Sequence, residues 1–398
     1  MRIRVIGAGR VGAPLGAWLL AKNHKVSFVD TNEELLENVL NGTLDWEEPY
    51  LNETLQDEQD NMILSPEEDC DWTFICVGTP VSNGIPVLDH IDKIIEGIPK
   101  STNIVLRSTV APGTCDELAK KHKRVIWHAP ERLLLGQGMD ELDELPQIVG
   151  ATGQEYILNL LTFTNAFAST FPSFISGTAI EAECAKVSNN IVRYIEFATG
   201  TELAEQFNAV GADPKKVREM MTEGYKRGRL AFPSFVGSYC LDKDWHMLAA
   251  KSNINPIMAT AAAEYNLNLP SKLLYNKCQG KVVAILGLTY KPDLDDCRET
   301  PSIRVYKSAL TNNAAEIRYH DPLVDVDKTF DELWPDVEKR FTVYDDAADA
   351  VRDADVVVIA TSHSDYFEGF NFKDGALIID PAMTIPSSTR SFSWRALA

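Results

Sequence analysis

The stretch IRVIGAGRVGAPLGAWLLAKNHKVSFVD, residues 3–30, decides the architecture. The apolar run Ile3–Ile6 reads as a buried strand. It leads into Gly7-Ala-Gly9-Arg-Val-Gly12, a GxGxxG turn. Pro14 stands in the first turn of the helix that follows, where its missing N–H does no harm. Leu15, Trp18, Leu19 and Ala21 give that helix a face for a sheet. VSFV is a second strand and ends at Asp30, 18 residues after Gly12. Each residue type has a task in dinucleotide binding. Gly7 permits the tight turn, Gly9 lets a pyrophosphate reach the backbone, and Gly12 lets helix and strand pack closely. The helix N-terminus offers N–H groups and a dipole to the phosphates. A carboxylate at Asp30 accepts both ribose hydroxyls and repels a 2′-phosphate, which favours NAD over NADP. Gly7, Gly9, Arg10, Val11, Gly12 and Asp30 are therefore candidate cofactor contacts.

Outward from this unit, the strand–turn pattern recurs. DWTFICVGTP (71–80), IVLRSTVAPGT (104–114) and RVIWHAPERLLLG (124–136) each pair an apolar run with a polar turn. Their C-terminal ends hold Thr79, Thr109 and Glu131, at the sheet edge where ligands of doubly wound folds sit. From about 178 to 210 the chain lacks proline. Ile180, Cys184, Val187, Ile191, Tyr194 and Ile195 recur at helical spacing. Lys186 and Asn190, four apart, share one side of that helix. Gly211 and Asp213-Pro214 end it and cap the next. So long an apolar helix has surplus surface to bury, and a homodimer through it is expected. From residue 281 a second strand–loop–helix series begins, with Thr300-Pro301 as an N-cap and first helical residue. DADVVVIATSHS (353–364) mirrors DCDWTFICVGTP (69–80). This second unit lacks GxGxxG and is expected to bind no second dinucleotide. Its loop brings Lys291 and Arg298, both suited to phosphates.

Composition sets the outer bounds. The 398 residues are 45% hydrophobic and 24% charged, enough for two or three soluble domains. The net charge of −20 argues against nucleic acid and anionic membranes as partners. No apolar run approaches the roughly 18 residues of a membrane span. The N-terminus enters a strand directly, without a secretory signal, so a cytoplasmic location is expected. The seven cysteines form no CxxC, and their number is odd, so neither a disulfide framework nor a metal site is expected. Cys240, in FVGSYCLDKDWHML (235–248), would be read as structural on its own. A nearby lysine and an oxidant would make it a candidate nucleophile.

Blocks in order along nearly the whole chain carry a resemblance: IGAGRVGAPLGAWLL with Asp30, ICVGTP, RSTVAPGT, APERLLLG, AECAKVSNN, CLDKD, LGLTYKPDLDDCRETPS and YHDP. The sequence resembles the nucleotide-sugar 6-dehydrogenases, the UDP-glucose, UDP-N-acetylmannosamine and GDP-mannose dehydrogenase family. The resemblance implies two Rossmann-like α/β units joined by a long central helix and a helical dimerisation region. Its boundaries are an NAD-binding domain at 1–175, a central domain at 176–272 and a UDP-binding domain at 273–398. It implies NAD as cofactor and a four-electron oxidation of the C6 alcohol of a nucleotide sugar to the acid. By similarity Cys240 is the nucleophile, with Lys186, Asn190, Asp244, Glu131 and Thr109 catalytic. Thr79, Thr109 and Arg298 join the cofactor contacts. Glu131, Arg132, Leu133, Lys186, Asn190, Phe235, Gly237, Tyr239, Tyr290 and Lys291 fall to the substrate. The chemistry suits these types: a thiolate captures the aldehyde, Lys186 and Asn190 steady an oxyanion, and Asp244 or Glu131 handles a water.

Two departures bear on the substrate. The family's glycine-rich loop before the cysteine is PSFVGSYC here, which keeps only Gly237 and places Tyr239 against the cysteine. Where UDP-glucose members carry a second glutamate, this chain has Leu135. That residue, PERLLLG, the TYKP form and TSHSDYF (361–367) are closer to the UDP-N-acetylmannosamine and N-acetylglucosamine branch, and an apolar residue suits a bulkier C2 group. Two other readings remain at this stage. A single-step hydroxy-acid-type dehydrogenase would form one NADH per substrate. A non-catalytic nucleotide-sugar-binding protein would lose nothing on substitution of Cys240.

Overall fold

Strand β1 (Arg2–Ile6) runs into the glycine turn and helix α1 (Gly12–Ala21), and the chain returns as β2 (Lys25–Val29). The computed structural model describes residues 1–46, 48–63, 69–82, 85–366 and 370–385; Phe367 of TSHSDYF lies outside the described residues. Helices α2 (Glu33–Asn41) and α3 (Leu51–Asp57) lead to β3 (Trp72–Ile75). A short antiparallel ribbon, β4 (Val81–Ser82) with β5 (Ile85–Pro86), precedes α4 (Asp89–Gly97). Then come β6 (Asn103–Leu106), α5 (Thr114–His122), β7 (Ile126–His128), α6 (Gly138–Glu144), β8 (Gln147–Ala151), α7 (Tyr156–Ala166) and β9 (Phe174–Thr178). Among the described residues these strands form a seven-stranded sheet in the order β2-β1-β3-β6-β7-β8-β9, parallel except for β7 with β8. Its central strands β3, β6 and β7 are buried along nearly their whole length, as strands with helices over both faces are. Within the core Trp72 packs edge to face against Phe163 and Phe167, Phe74 does the same against Phe167, and Phe171 lies tilted against Phe167.

Helix α8 (Ala179–Ala209) covers the expected span. The next helix, α9 (Pro214–Thr222), takes Asp213 as its N-cap, whose side chain accepts the N–H groups of Lys215 and Lys216. Helices α10 (Leu241–Ser252) and α11 (Ile257–Leu274) follow. The chain divides into two compact units, one of Met1–Asn190 with Lys243–Asn255, the other of Ile191–Asp242 with the residues from Pro256 onward. The central stretch 176–272 is thus shared between them.

The second unit has its own parallel sheet of β10 (Val282–Leu286), β11 (Glu316–His320), β12 (Thr342–Val343), β13 (Val356–Ile359) and β14 (Leu377–Ile379), in the order β12-β11-β10-β13-β14. Helix α12 (Ser302–Thr311) follows β10. The order β11-β10-β13-β14 repeats β2-β1-β3-β6 of the first unit. Details repeat too. Gly7 and Gly287 both turn with φ +91°. Asp30 accepts the N–H of Ala8 at 2.7 Å, and Asp321 that of Leu288 at 2.6 Å. Helix α12 starts one residue later than expected, with Pro301 at the N-cap. Thr300 still serves the helix end, because its hydroxyl oxygen accepts the N–H of Ser302.

Candidate active site

The glycine turn separates three roles by geometry. Gly7 holds a positive φ that side-chain-bearing residues rarely adopt. A Cβ on Gly12 would stand 1.8 Å from the carbonyl oxygen of Gly7, so helix and turn touch through this glycine. A Cβ on Gly9 would meet nothing within 4 Å, leaving open space above the turn for a ligand's phosphates. Arg10 places its guanidinium 5.3 Å from the centre of the Trp46 ring, which orders the turn from outside. Asp30 also accepts the N–H of Asn32, so its carboxylate is fixed at the end of β2. These residues fit NAD, whose phosphates they would hold at the N-terminus of α1 and whose ribose they would hold at Asp30. Thr79 after β3 is buried, and Thr109 after β6 is half-buried. Ser108 steadies that edge by donating to the carbonyl of Val77 at 2.7 Å.

Glu131, after β7, is an anion locked in place. One carboxylate oxygen accepts the N–H groups of Arg132 and Leu133 at 2.7 and 2.9 Å. The other pairs with the guanidinium of Arg107. Arg107 is 1% exposed and also donates to the carbonyl of Ala129 and the side chain of Gln147. So completely buried a cation needs such partners, and Glu131 is the charged one. Arg132 donates to the carbonyl of Pro146, which ties this loop to the turn between α6 and β8. Glu48 then accepts the N–H groups of Gly136 and Gly138, so carboxylates clamp the loop that carries Leu133.

On α8, Lys186 is half-buried and Asn190 buried, one turn apart. Asn190 donates to Asp244 at 2.6 Å, and Lys243 donates to the other oxygen of Asp244 at 2.7 Å. Asp244 is 0% exposed, so these two partners compensate its burial. The buried imidazole of His128 is pushed down to about 3, by burial first and then by the charges of Lys186 and Arg107, and so stays neutral. Glu183, on the same helix, accepts the N–H groups of Gly113 at 2.5 Å and Cys115 at 2.8 Å. It thereby ties α8 to the start of α5.

Within the second unit, Cys240 directly precedes α10. Among the described residues it is the one exposed cysteine. The thiols of Cys76, Cys115, Cys184 and Cys278 are pushed up by burial. A position just ahead of a helix N-terminus favours a thiolate. The guanidinium of Arg298 is held by Asp296 and lies 5.4 Å from the centre of the Tyr239 ring. Tyr290 donates its N–H to the carbonyl of Asp296, and Lys291 receives the hydroxyl of Thr289 on its carbonyl. Phe235 is 6% exposed and packs in the core with Leu269 and Leu273. Gly237 has a packing reason to be glycine: a Cβ there would lie 2.3 Å from the carbonyl oxygen of Glu299.

The structure thus brings together Lys186, Asn190 and Asp244 in one unit, and Tyr239, Cys240 and Arg298 in the other. Sequence reasoning passed over Lys243, Arg107 and Glu183. All three lie inside or beside the quoted blocks, but their partners are remote in sequence or fully buried.

The sequence models of the UDP-glucose/GDP-mannose dehydrogenase family match in order: the NAD binding domain over residues 1–162, the central domain over 180–268 and the UDP binding domain over 284–387. The UDP-N-acetyl-D-mannosamine dehydrogenase of Pyrococcus horikoshii is 25% identical over 402 residues, covering 92% of this chain and 90% of that protein. The UDP-glucose 6-dehydrogenase of Rickettsia conorii is 28% identical over 401 residues, with coverage of 92% and 90%. The fold matches the solved UDP-D-ManNAc dehydrogenase of P. horikoshii with a TM-score of 0.84 at 23% identity, over 98% of each chain. It matches a UDP-glucose dehydrogenase of Pyrobaculum islandicum equally well, at 0.84 and 22% identity, over 96% of each. A doubly wound unit with a dinucleotide turn, matched by an NAD binding domain model and followed by a second doubly wound unit matched by a UDP binding domain model, marks an NAD-dependent dehydrogenase. The chain belongs to the UDP-glucose/GDP-mannose dehydrogenase family, and so to the NAD-dependent nucleotide-sugar dehydrogenases.

Proposed function

We propose that this chain oxidises the C6 alcohol of a UDP-N-acetylhexosamine to the uronic acid through a covalent Cys240 intermediate. The observation that carries the reading is the setting of α10: an exposed cysteine immediately before it, and a buried Asp244 in its first turn bonded to Asn190, one helical turn from Lys186. NAD⁺ supplies the hydride acceptor for both oxidation steps. In the first, the C6 hydroxyl loses its proton to a water held by Lys186 and Asp244. The Cys240 thiolate then adds to the aldehyde carbon, and the oxyanion of the resulting thiohemiacetal is steadied by Lys186 and Asn190. Loss of the second hydride leaves a thioester. Water, oriented by Asp244 or by the fixed anion of Glu131, hydrolyses it to acid and thiol.

Leu135 beside the Glu131 loop, and relatives named for UDP-N-acetyl-D-mannosamine, support UDP-N-acetylmannosamine or UDP-N-acetylglucosamine over UDP-glucose. Exposed Val192, Val210, Met220, Phe232, Ile257 and Met258 support a homodimer through the central region. No helix among the described residues is long and apolar enough to cross a membrane, in keeping with a cytoplasmic enzyme. The test is to incubate the protein with NAD⁺ and a panel of UDP- and GDP-sugars and count NADH. Two NADH per UDP-N-acetylhexosamine are expected, and none of this second yield from Cys240→Ala. A yield of one, or preference for UDP-glucose, would overturn the corresponding half of the reading.

A further inference from the structure

The segment FVGSYCLD (235–242) has one glycine, so its shape must come from side chains. One of them, Arg304 on α12, reaches it at both ends. Its guanidinium donates to the carbonyl of Val236 and, at 3.3 Å, to the carboxylate of Asp242. The other oxygen of Asp242 accepts the hydroxyl of Tyr194 at 2.8 Å. Arg304 and Asp242 are 18% and 14% exposed in their side chains, sheltered enough for the pair to hold firm. Gly237 fits beneath this staple: a Cβ would stand 2.8 Å from the Arg304 guanidinium. The hydroxyl of Ser238 accepts the N–H of Leu241 at 3.0 Å, fixing the step into α10.

We infer that Arg304 is a positioning residue for the thiol of Cys240, holding residues 236 and 242 in one grip while the cysteine between them faces outward. The inference rests on the reading of Cys240 as nucleophile. A glycine-rich loop can close around its ligand by backbone freedom alone. Here a guanidinium with two fixed acceptors does that work in advance, and the thiol is pre-placed for the aldehyde. Loosening the staple displaces the thiol without touching the first hydride transfer, which needs no cysteine. The aldehyde then escapes before capture.

The experiment compares Arg304→Ala, Arg304→Lys, Asp242→Asn and Cys240→Ala. The readouts are kcat, KM, NADH formed per UDP-sugar consumed, aldehyde trapped by hydroxylamine, and the rate of Cys240 alkylation by iodoacetamide. Arg304→Ala is expected to lower the rate of acid formation about 10²-fold, as a misplacement near 1 Å does, and to raise KM for the sugar by a much smaller factor, because Phe235, Gly237 and Tyr239 share the segment. Its NADH yield should fall from two towards one as trapped aldehyde appears, a change that simple loss of stability would not produce. Arg304→Lys, which can reach one acceptor but not both, should recover part of the yield. Should Arg304→Ala fail to fold, Asp242→Asn carries the test, because it removes one end of the grip at constant shape. Full yield from a folded Arg304→Ala or Asp242→Asn, alongside loss of the second NADH in Cys240→Ala, overturns the role of Arg304 and leaves the nucleophile standing. Two NADH from Cys240→Ala overturns the nucleophile, and the staple's purpose with it.

Discussion

At the scale of single residues, the three glycines of the first turn were legible because each answers to a different force. Backbone conformation selects Gly7 and packing selects Gly12, whereas Gly9 stands against open space, where the proposed phosphate approach would select it. The last two make opposite predictions. Gly12→Ala drives a methyl into the Gly7 carbonyl and should destabilise the fold by about 3 kcal/mol or more. Gly9→Ala meets open space and should shift Tm by no more than about 3 °C. It should nevertheless raise the KM for NAD⁺ at least about tenfold, a loss of about 1.4 kcal/mol. Thermal melts and initial rates on both variants check this, and a Gly9→Ala enzyme with unchanged KM would contradict the phosphate reading. What was not legible at this scale is partnership. Arg107 and Glu131 are 24 residues apart, and Arg304 and Asp242 are 62 apart. No local spacing encodes such pairs, so the sequence showed charges without showing which of them were neutralised.

At the scale of elements, α8 was legible from its apolar spacing and its Gly-Ala-Asp-Pro ending. Strands β8 and β9 were not. QIVGA and FISGT are short, and β9 is an edge strand with no buried residue. Periodicity is weakest in such strands. The clamp between α8 and α5 was also unseen, and it has a pH signature. Burial pushes the Glu183 carboxyl up to about 7, against the opposing pull of the N–H groups of Cys115 and Gly113 and with a small push from Asp116. Cys115, which faces it, is itself held protonated. A carboxyl raised in the folded state binds a proton there that the unfolded chain has released. Its contribution to stability is therefore full below about 4.5 and is lost as pH rises through about 7. Glu183→Gln cannot titrate. The stability of the natural protein relative to this variant should fall by up to about 3 kcal/mol between pH 5 and pH 8. Urea unfolding of both at four pH values checks it, and parallel pH curves would refute it.

At the scale of the whole molecule, the doubly wound architecture and its internal repeat were legible because strand, turn and helix recur in order. Charge acts at this scale too. With a net charge of −20, two copies repel each other over the Debye length, about 30 Å at 0.01 M salt and about 8 Å at 0.15 M. A dimer built on the exposed apolar residues of the central region should therefore tighten as salt is added. Sedimentation velocity at the two ionic strengths should show the average mass rising. A mass independent of salt at subunit concentrations near the dissociation constant would count against an association opposed by charge.

The contrast between one exposed thiol, two half-buried ones and four buried ones has a practical side. A fluorophore-bearing maleimide would find its preferred address at position 240 of the natural sequence, with the half-buried Cys76 and Cys184 reacting more slowly. The same asymmetry makes position 240 the place where peroxide would strike first, so that, on the proposed mechanism, one exposed sulfur would also set how long the enzyme endures in air.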